Sequence, residues 1–189
     1  MPWRSPLAWQ ITIFMGLQSL LFFSILAWLP DLLHSEGVST SKGGLLVGLM
    51  QVGGLIATIV MPVLAARRRS QGRLVVASTA LAATGVAGLL VAPADLAVLW
   101  AMLIGAATGA YLSLALTFLV LRAPDTAHTA ALSGMVQSGG YMLAAVGPTA
   151  VGALHDLTDG WTVPLWALMG VTALCCVLGL GAARDRQVA

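Results

Sequence analysis

Residues 7–33 read LAWQITIFMGLQSLLFFSILAWLPDLL. The stretch holds no Lys or Arg, and its one acid, Asp31, stands near its end. A membrane-crossing helix needs about 20 mostly apolar residues, and this run is longer. It also exceeds the apolar core of a cleavable signal peptide, about 7–15 residues, so it reads as a true span. The backbone argument gives the conformation. In lipid every N–H and C=O must be paired inside the segment or in a closed barrel. Barrel strands are short and alternate in polarity; this stretch does neither, so it is a helix.

Five further stretches follow the same pattern, at Leu45–Ala66, Leu74–Ala92, Leu96–Leu121, Thr129–Leu154 and Thr162–Ala182. The expected fold is an all-α membrane protein, a single six-helix transmembrane bundle over residues 1–189. Composition agrees. The chain is 59% hydrophobic and 8% charged, against about 25% charged in soluble domains, so water is not the solvent for most of its surface. The adjacent cysteines Cys175 and Cys176 sit in an apolar stretch, without the spacing of a disulfide framework or a zinc site. They read as small packing residues.

Charge sets the orientation. Arg4, Arg67, Arg68, Arg69, Arg73, Arg122, Arg184 and Arg186 fall on one side of the six spans, and only Lys42 on the other: eight of the nine Lys and Arg residues. The positive-inside rule makes the Arg-rich side cytoplasmic. Both termini are then cytoplasmic, in a multi-pass protein of the cytoplasmic membrane. Arg67, Arg68, Arg69 and Arg73 form the cytoplasmic anchor loop. All six Trp residues fall near expected interfaces, where amphipathic rings are favoured.

Helices in lipid associate through close backbone approach and polar contacts. Gly44 and Gly48 form one GxxxG pair, and Gly105 and Gly109 another. In the fifth segment Gly140, Ala144, Pro148 and Gly152 recur every four residues, with Gly147 beside them. These are expected packing positions. Polar residues are unevenly spread. Gln18 is mid-span in the first segment; Gln51 and Thr58 share a face of the second; Thr108 and Tyr111 share a face of the fourth; Ser133, Gln137 and Tyr141 form one stripe in the fifth. The third and sixth segments offer only Ser, Thr and Cys. Segments one, two, four and five are therefore expected to face a cavity, and three and six to support them. The buried Gln side chains need partners or water, so they either glue helices together or line a wet path. The register of Ser133, Gln137 and Tyr141 favours the path. The candidate cavity-lining set is Gln18, Gln51, Tyr111, Ser133, Gln137 and Tyr141.

Several chemistries lack their residues. The three histidines form no HExxH pair, Ser133 has no histidine base within its segment, and no GxxxxGK[ST] phosphate loop occurs. No enzyme activity, metal, cofactor or nucleic-acid partner is expected. No ionisable residue sits clearly mid-span. Arg122, at a segment end, reads as an anchor.

Certain runs resemble a family. They are Trp3-Arg4-Ser5-Pro6-Leu7-Ala8-Trp9-Gln10, Trp28-Leu29-Pro30, Leu132-Ser133-Gly134-Met135-Val136-Gln137-Ser138-Gly139-Gly140-Tyr141, Ala144-Ala145-Val146-Gly147-Pro148, Gly152 with His155-Asp156, and Trp161 with Pro164. The chain resembles the C-terminal half of a major facilitator superfamily transporter, most similar to the cyanate / 2-nitroimidazole permease group. The resemblance implies helices seven to twelve of a twelve-helix fold, with segments one, two, four and five around the central cavity. Residues 67–73 resemble a degenerate copy of the superfamily's Gly-x-x-x-Asp-Arg-x-Gly-Arg loop. Gly72-Arg73 matches its end, while Arg69 stands at the acid position and Ser70 at the first Arg. The implied function is secondary transport of a small polar or anionic solute by alternating access. The implied partners are the solute, the bilayer, and a missing N-terminal six-helix bundle or a second copy. The chain is then a fragment of a longer transporter or a half-transporter acting as a dimer. The rival expectation is a non-transporting scaffold or assembly subunit, whose polar stripes would be buried in helix contacts without a groove.

Overall fold

A computed structural model describes residues 2–68 and 70–188. It contains six long helices: α1 (Pro6–Ser35), α2 (Thr40–Ala66), α3 (Gly72–Val91), α4 (Ala97–Arg122), α5 (Thr126–Thr158) and α6 (Thr162–Ala182). Arg69, one of the expected anchor residues, lies outside the described residues.

Local chemistry explains the boundaries. Pro6 opens α1 at a position where its missing N–H costs nothing. Gly37 ends it with φ 83°, a left-handed conformation that suits glycine. Gly37 N–H donates to His34 O (3.0 Å) and Val38 N–H to Leu33 O (2.9 Å), the paired bonds that close a helix C-terminus. Only Glu36–Ser39 then separates α1 from α2. The expected connection, His34–Gly44, was longer; α2 in fact starts at Thr40, and both Gly43 and Gly44 are helical. Asp125 caps α5 by accepting from His128 N–H at 2.8 Å. That hydrogen bond, and then the His128 side chain, hold the Asp125 carboxyl below its ordinary pKa.

Five helices are long and apolar enough to cross a membrane. The exception is α5, which is less apolar than the other five. It is the longest helix, at 33 residues, about 50 Å. Its sequence, however, places Gly, Ser, Thr, Ala and Gln where the other helices place Leu and Val. The gain is close approach. Helix α5 lies along α1, with Gly140 against Met15 and Gly16, Gly147 against Leu20 and Ser24, and Gly152 against the Trp28 ring. A Cβ at Gly147 would stand 2.7 Å from Leu20 Cγ, and one at Gly152 2.6 Å from Trp28 Cζ2. The Pro148 carbonyl accepts from Trp28 Nε1 at 2.8 Å.

The α2–α4 crossing is tighter. A Cβ at Gly105 would overlap Met50 O, and one at Gly109 would overlap Gly54 O; across the interface, one at Gly53 would lie 2.8 Å from Met102 O. Gly44 and Gly48 do not act this way. Both are exposed, with nothing within 4 Å of a built Cβ, because their face of α2 is turned away from α4. The packing glycines of α2 are Gly53 and Gly54.

Helices α1 and α4 form the centre, and α3 and α6 pack behind them and on each other. Phe14 of α1 meets Tyr111 edge-on, with centroids 5.6 Å apart, and Phe118 of α4 at 5.9 Å. Tyr111 donates to Thr79 Oγ1 of α3 at 2.7 Å. One aromatic cluster thus ties three helices together.

Candidate functional site, a polar groove on one face of the bundle

On the side away from α3 and α6, α1, α2, α4 and α5 enclose a groove of about 220 Å³. These are the four helices that carry the polar side chains singled out in the sequence. Gln18, Ser19, Phe22 and Phe23 come from α1; Gln51, Gly54, Leu55 and Thr58 from α2; Thr108, Gly109 and Leu112 from α4; and Tyr141 from α5. The α2–α4 glycines help to shape it. By letting the two backbones touch, Gly54 and Gly109 bring Thr58 and Thr108 into one wall. Thr58 Oγ1 donates to Gly54 O (2.8 Å) and across the crossing to Gly109 O (3.3 Å). Thr108 Oγ1 donates to Ile104 O and Gly105 O. The groove floor is Gln18, buried at mid-helix, whose Nε2 donates to Ser19 Oγ at 2.7 Å and Met15 Sδ at 3.3 Å.

The structure therefore brings Gln18, Gln51 and Tyr141 together. It places the other candidates elsewhere. Tyr111, expected at the cavity, is fully buried against Phe14 with its hydroxyl on Thr79. Thr108 reaches the groove, but Tyr111, three residues on, points behind α4, since an i, i+3 pair subtends an arc wide enough to straddle a helix edge. Ser133 and Gln137 bond to each other, Nε2 to Oγ at 2.8 Å. They continue the Tyr141 stripe along α5, with Gln137 exposed, beyond the groove itself. Sequence reasoning missed Ser19, Phe22 and Phe23. Ser19 carried a usable signal, a second polar group beside Gln18; the Phe residues looked like any lipid-facing apolar pair.

A second polar cluster closes the Arg-rich end. Arg122 is buried, with 2% of its surface exposed. Its Nε donates to Ala182 O (3.0 Å), and its Nη2 to Ala183 O (3.1 Å) and Gln71 Oε1 (2.7 Å). The guanidinium lies 5.8 Å from the Phe118 ring centre and 3.6 Å from the exposed Asp185 carboxylate. Gln71 in turn donates to Arg68 O at 2.9 Å. The sequence reads Arg122 as an anchor at a segment end; the structure makes it a buried clamp on the C-terminal carbonyls of α6 and on the loop after α2. Arg67, Arg68 and Arg73 are exposed around it.

Long apolar helices around a polar, mid-depth groove define the class: a multi-pass membrane protein with a hydrogen-bonding cleft. Its relatives are transporters. The chain is 45% identical over 187 residues to the uncharacterised transporter YycB of Bacillus subtilis. It is 40% identical over 186 residues to the 2-nitroimidazole transporter of Escherichia coli, and 28% identical over 176 residues to the cyanate transport protein CynX of the same organism. These alignments cover 98%, 98% and 93% of this chain but 46%, 47% and 44% of the relatives. The chain spans about half the length of the curated relatives it matches. No protein-family profile matches it. Over nearly all of its length the chain is similar to about half of each of these transporters.

Proposed function

We propose that this chain forms one half of a secondary transporter for a small polar or anionic solute, with the groove as one wall of the translocation site. The observation that carries the reading is the groove. Lipid gives no reason to gather Gln18, Ser19, Gln51, Thr58, Thr108 and Tyr141 around one groove, because polar groups facing hydrocarbon are costly. A scaffold subunit would pack them between helices and leave no groove. A water-exposed path, faced by a second bundle, accounts for them. All six helices cross the bilayer in this reading: α4 ends at the Arg-rich end and α6 starts at the opposite one, so α5 must run between them. The Arg-rich end is cytoplasmic by the positive-inside rule. The facing bundle covers the open side of α2, where Gly44 and Gly48 continue the Gln51, Leu55 and Thr58 stripe. Rocking of the two bundles about the groove gives alternating access. The partner bundle is the other half of a longer polypeptide of the relatives' size, or a second copy of this chain.

The test uses the solutes for which two relatives are named. Cells expressing the transporter are assayed for flux of 2-nitroimidazole and cyanate, with Gln18→Ala and Gln51→Ala variants alongside. Loss of a hydrogen bond to solute lowers flux by about tenfold while the variants still reach the membrane. Unchanged flux in both variants overturns the site.

A further inference from the structure

The Arg-rich end carries a second cavity, of about 280 Å³, between the head of α1 and the tail that follows α6. Ser5, Leu7 and Gln10 line one wall, and Gly181, Arg184 and Arg186 the other. Two features gather positive charge and donors there. The tail is the first. Val188 is buried and its N–H donates to Arg122 O at 2.7 Å, while Asp185 faces the Arg122 guanidinium at 3.6 Å. The residues on either side of Asp185 turn the other way, so Arg184 and Arg186 both border the cavity. Among the described residues neither meets a carboxylate, and no acid borders the cavity. The Ala182 and Ala183 carbonyls, which would repel an anion, are already held by Arg122.

The head of α1 is the second feature. Ser5 stands at the N-cap without capping, so among the described residues the Leu7 and Ala8 N–H groups have no backbone partner. Uncapped N–H groups and the helix dipole favour an anion at this end. Ser5 is 6% exposed, and its hydroxyl bonds to nothing among the described residues. It is not sealed in either: among them the one enclosed side-chain polar atom lacking a partner is Ser24 Oγ. The Ser5 hydroxyl therefore opens into the cavity as a free donor. Gln10 lies across Gly181, where a Cβ would stand 2.8 Å from its Oε1. Trp3 and Trp9 stand exposed beside this wall, with Trp9 Nε1 donating to Trp3 O at 3.0 Å. Exposed Trp side chains of a membrane protein sit at headgroup level.

We propose that this cavity binds the phosphate of an anionic phospholipid. Arg184 and Arg186 meet the phosphate oxygens from the α6 side, and Ser5 Oγ with the free N–H groups of α1 donates from the other. Basic pockets between spanning helices suit such headgroups. The exposed Trp pair sets the cavity at headgroup depth, which favours a lipid over a soluble phosphate. A zwitterionic lipid would bring a cation that the two Arg residues repel. The cavity shares no lining residue with the groove, so its test stands apart from the flux assay.

Native mass spectrometry of the purified protein in detergent measures the affinity for phosphatidylglycerol and for phosphatidylcholine of matched chains. Phosphatidylglycerol should bind about tenfold tighter. Arg184→Gln combined with Arg186→Gln should abolish that preference, and Ser5→Ala should weaken phosphatidylglycerol several-fold. Arg67→Gln combined with Arg68→Gln removes the same charge from exposed positions outside the cavity and should leave the preference intact. Ser5→Ala alone decides should the Arg184 and Arg186 variant lose its helical circular dichroism. Equal affinity for the two lipids overturns the site, as does a preference that survives in the Arg184 and Arg186 variant. An equal loss in both double variants also overturns it, since a diffuse positive field then accounts for binding. Displacement of the lipid by millimolar inorganic phosphate assigns the cavity to a soluble anion and overturns the lipid assignment.

Discussion

The chain carries two GxxxG pairs that look alike in sequence and differ in what surrounds them, and substitution by alanine should pull them apart. At Gly105 an added Cβ overlaps Met50 O and stands 3.0 Å from Met50 Cα, where carbon pairs prefer about 3.5–4.0 Å. The obstacles are backbone atoms, which cannot rotate away as a side chain can. Helix α2 must therefore retreat from α4 along the whole crossing, Gly53, Gly54 and Gly109 included. Overpacking of this kind costs about 1–3 kcal/mol, and the better helix propensity of alanine returns about 0.8–1.0 kcal/mol. At Gly48 nothing lies within 4 Å, so the propensity gain stands alone. Gly105→Ala should destabilise the bundle by up to about 2 kcal/mol and Gly48→Ala stabilise it by up to about 1 kcal/mol, a separation of about 1–3 kcal/mol. Equilibrium unfolding in mixed detergent and SDS micelles, followed by far-ultraviolet circular dichroism, measures both. The α2–α4 reasoning fails if Gly105→Ala is as stable as Gly48→Ala. A loss at Gly48 matching that at Gly105 would show that its face of α2 is packed in the isolated chain.

Two further outcomes follow from the Arg-rich end. Arg122→Met keeps an apolar stem near Phe118 but leaves Gln71 Oε1, Ala182 O and Ala183 O without their donor; the expected loss in the same unfolding assay is about 3 kcal/mol, and Arg122→Lys restores only part of it because a point charge cannot match the fork of the guanidinium. Asp185→Asn should change little, since its carboxylate is 82% exposed and exposed pairs contribute weakly. At α5, the Asp125 pKa is depressed on folding. Its capping contribution is thus complete above the unfolded carboxylate value of about 3.9 and disappears as pH falls through the lower folded value. Amide exchange in the first turn of α5 should be flat down to about pH 4 after correction for intrinsic rates and rise below it; in Asp125→Ala that acid step should vanish.

The membrane fold, the helix positions within a few residues and the division of the helices into two groups were all legible in the chain. Each rests on a local property: length of an apolar run, placement of Arg, and the residue types at one helical period. Lipid makes these properties decisive, because an unpaired backbone group or a central charge has no water to satisfy it. Gln18, Gln51 and Tyr141 could be placed on cavity-facing helices for the same reason.

What the chain by itself left open was which side of each helix meets which neighbour. Gly44–Gly48 and Gly105–Gly109 have the same spacing, yet one pair faces open space and the other meets the backbone of α2. Tyr111 and Tyr141 are both mid-helix tyrosines. One is locked behind α4 by Thr79 and Phe14, and the other stands at the groove. Arg122 sits at a helix end, as an exposed anchor would, but the last carbonyls of α6 and the Gln71 side chain converge on it. Helical periodicity specifies that residues share a face; it does not specify the rotation of that face against its partner. Rotation is set by how six helices interlock at once, and in this bundle the closest backbone contacts, at Gly105 and Gly109, turn Thr58 and Thr108 toward Gln18 and so decide where the groove lies.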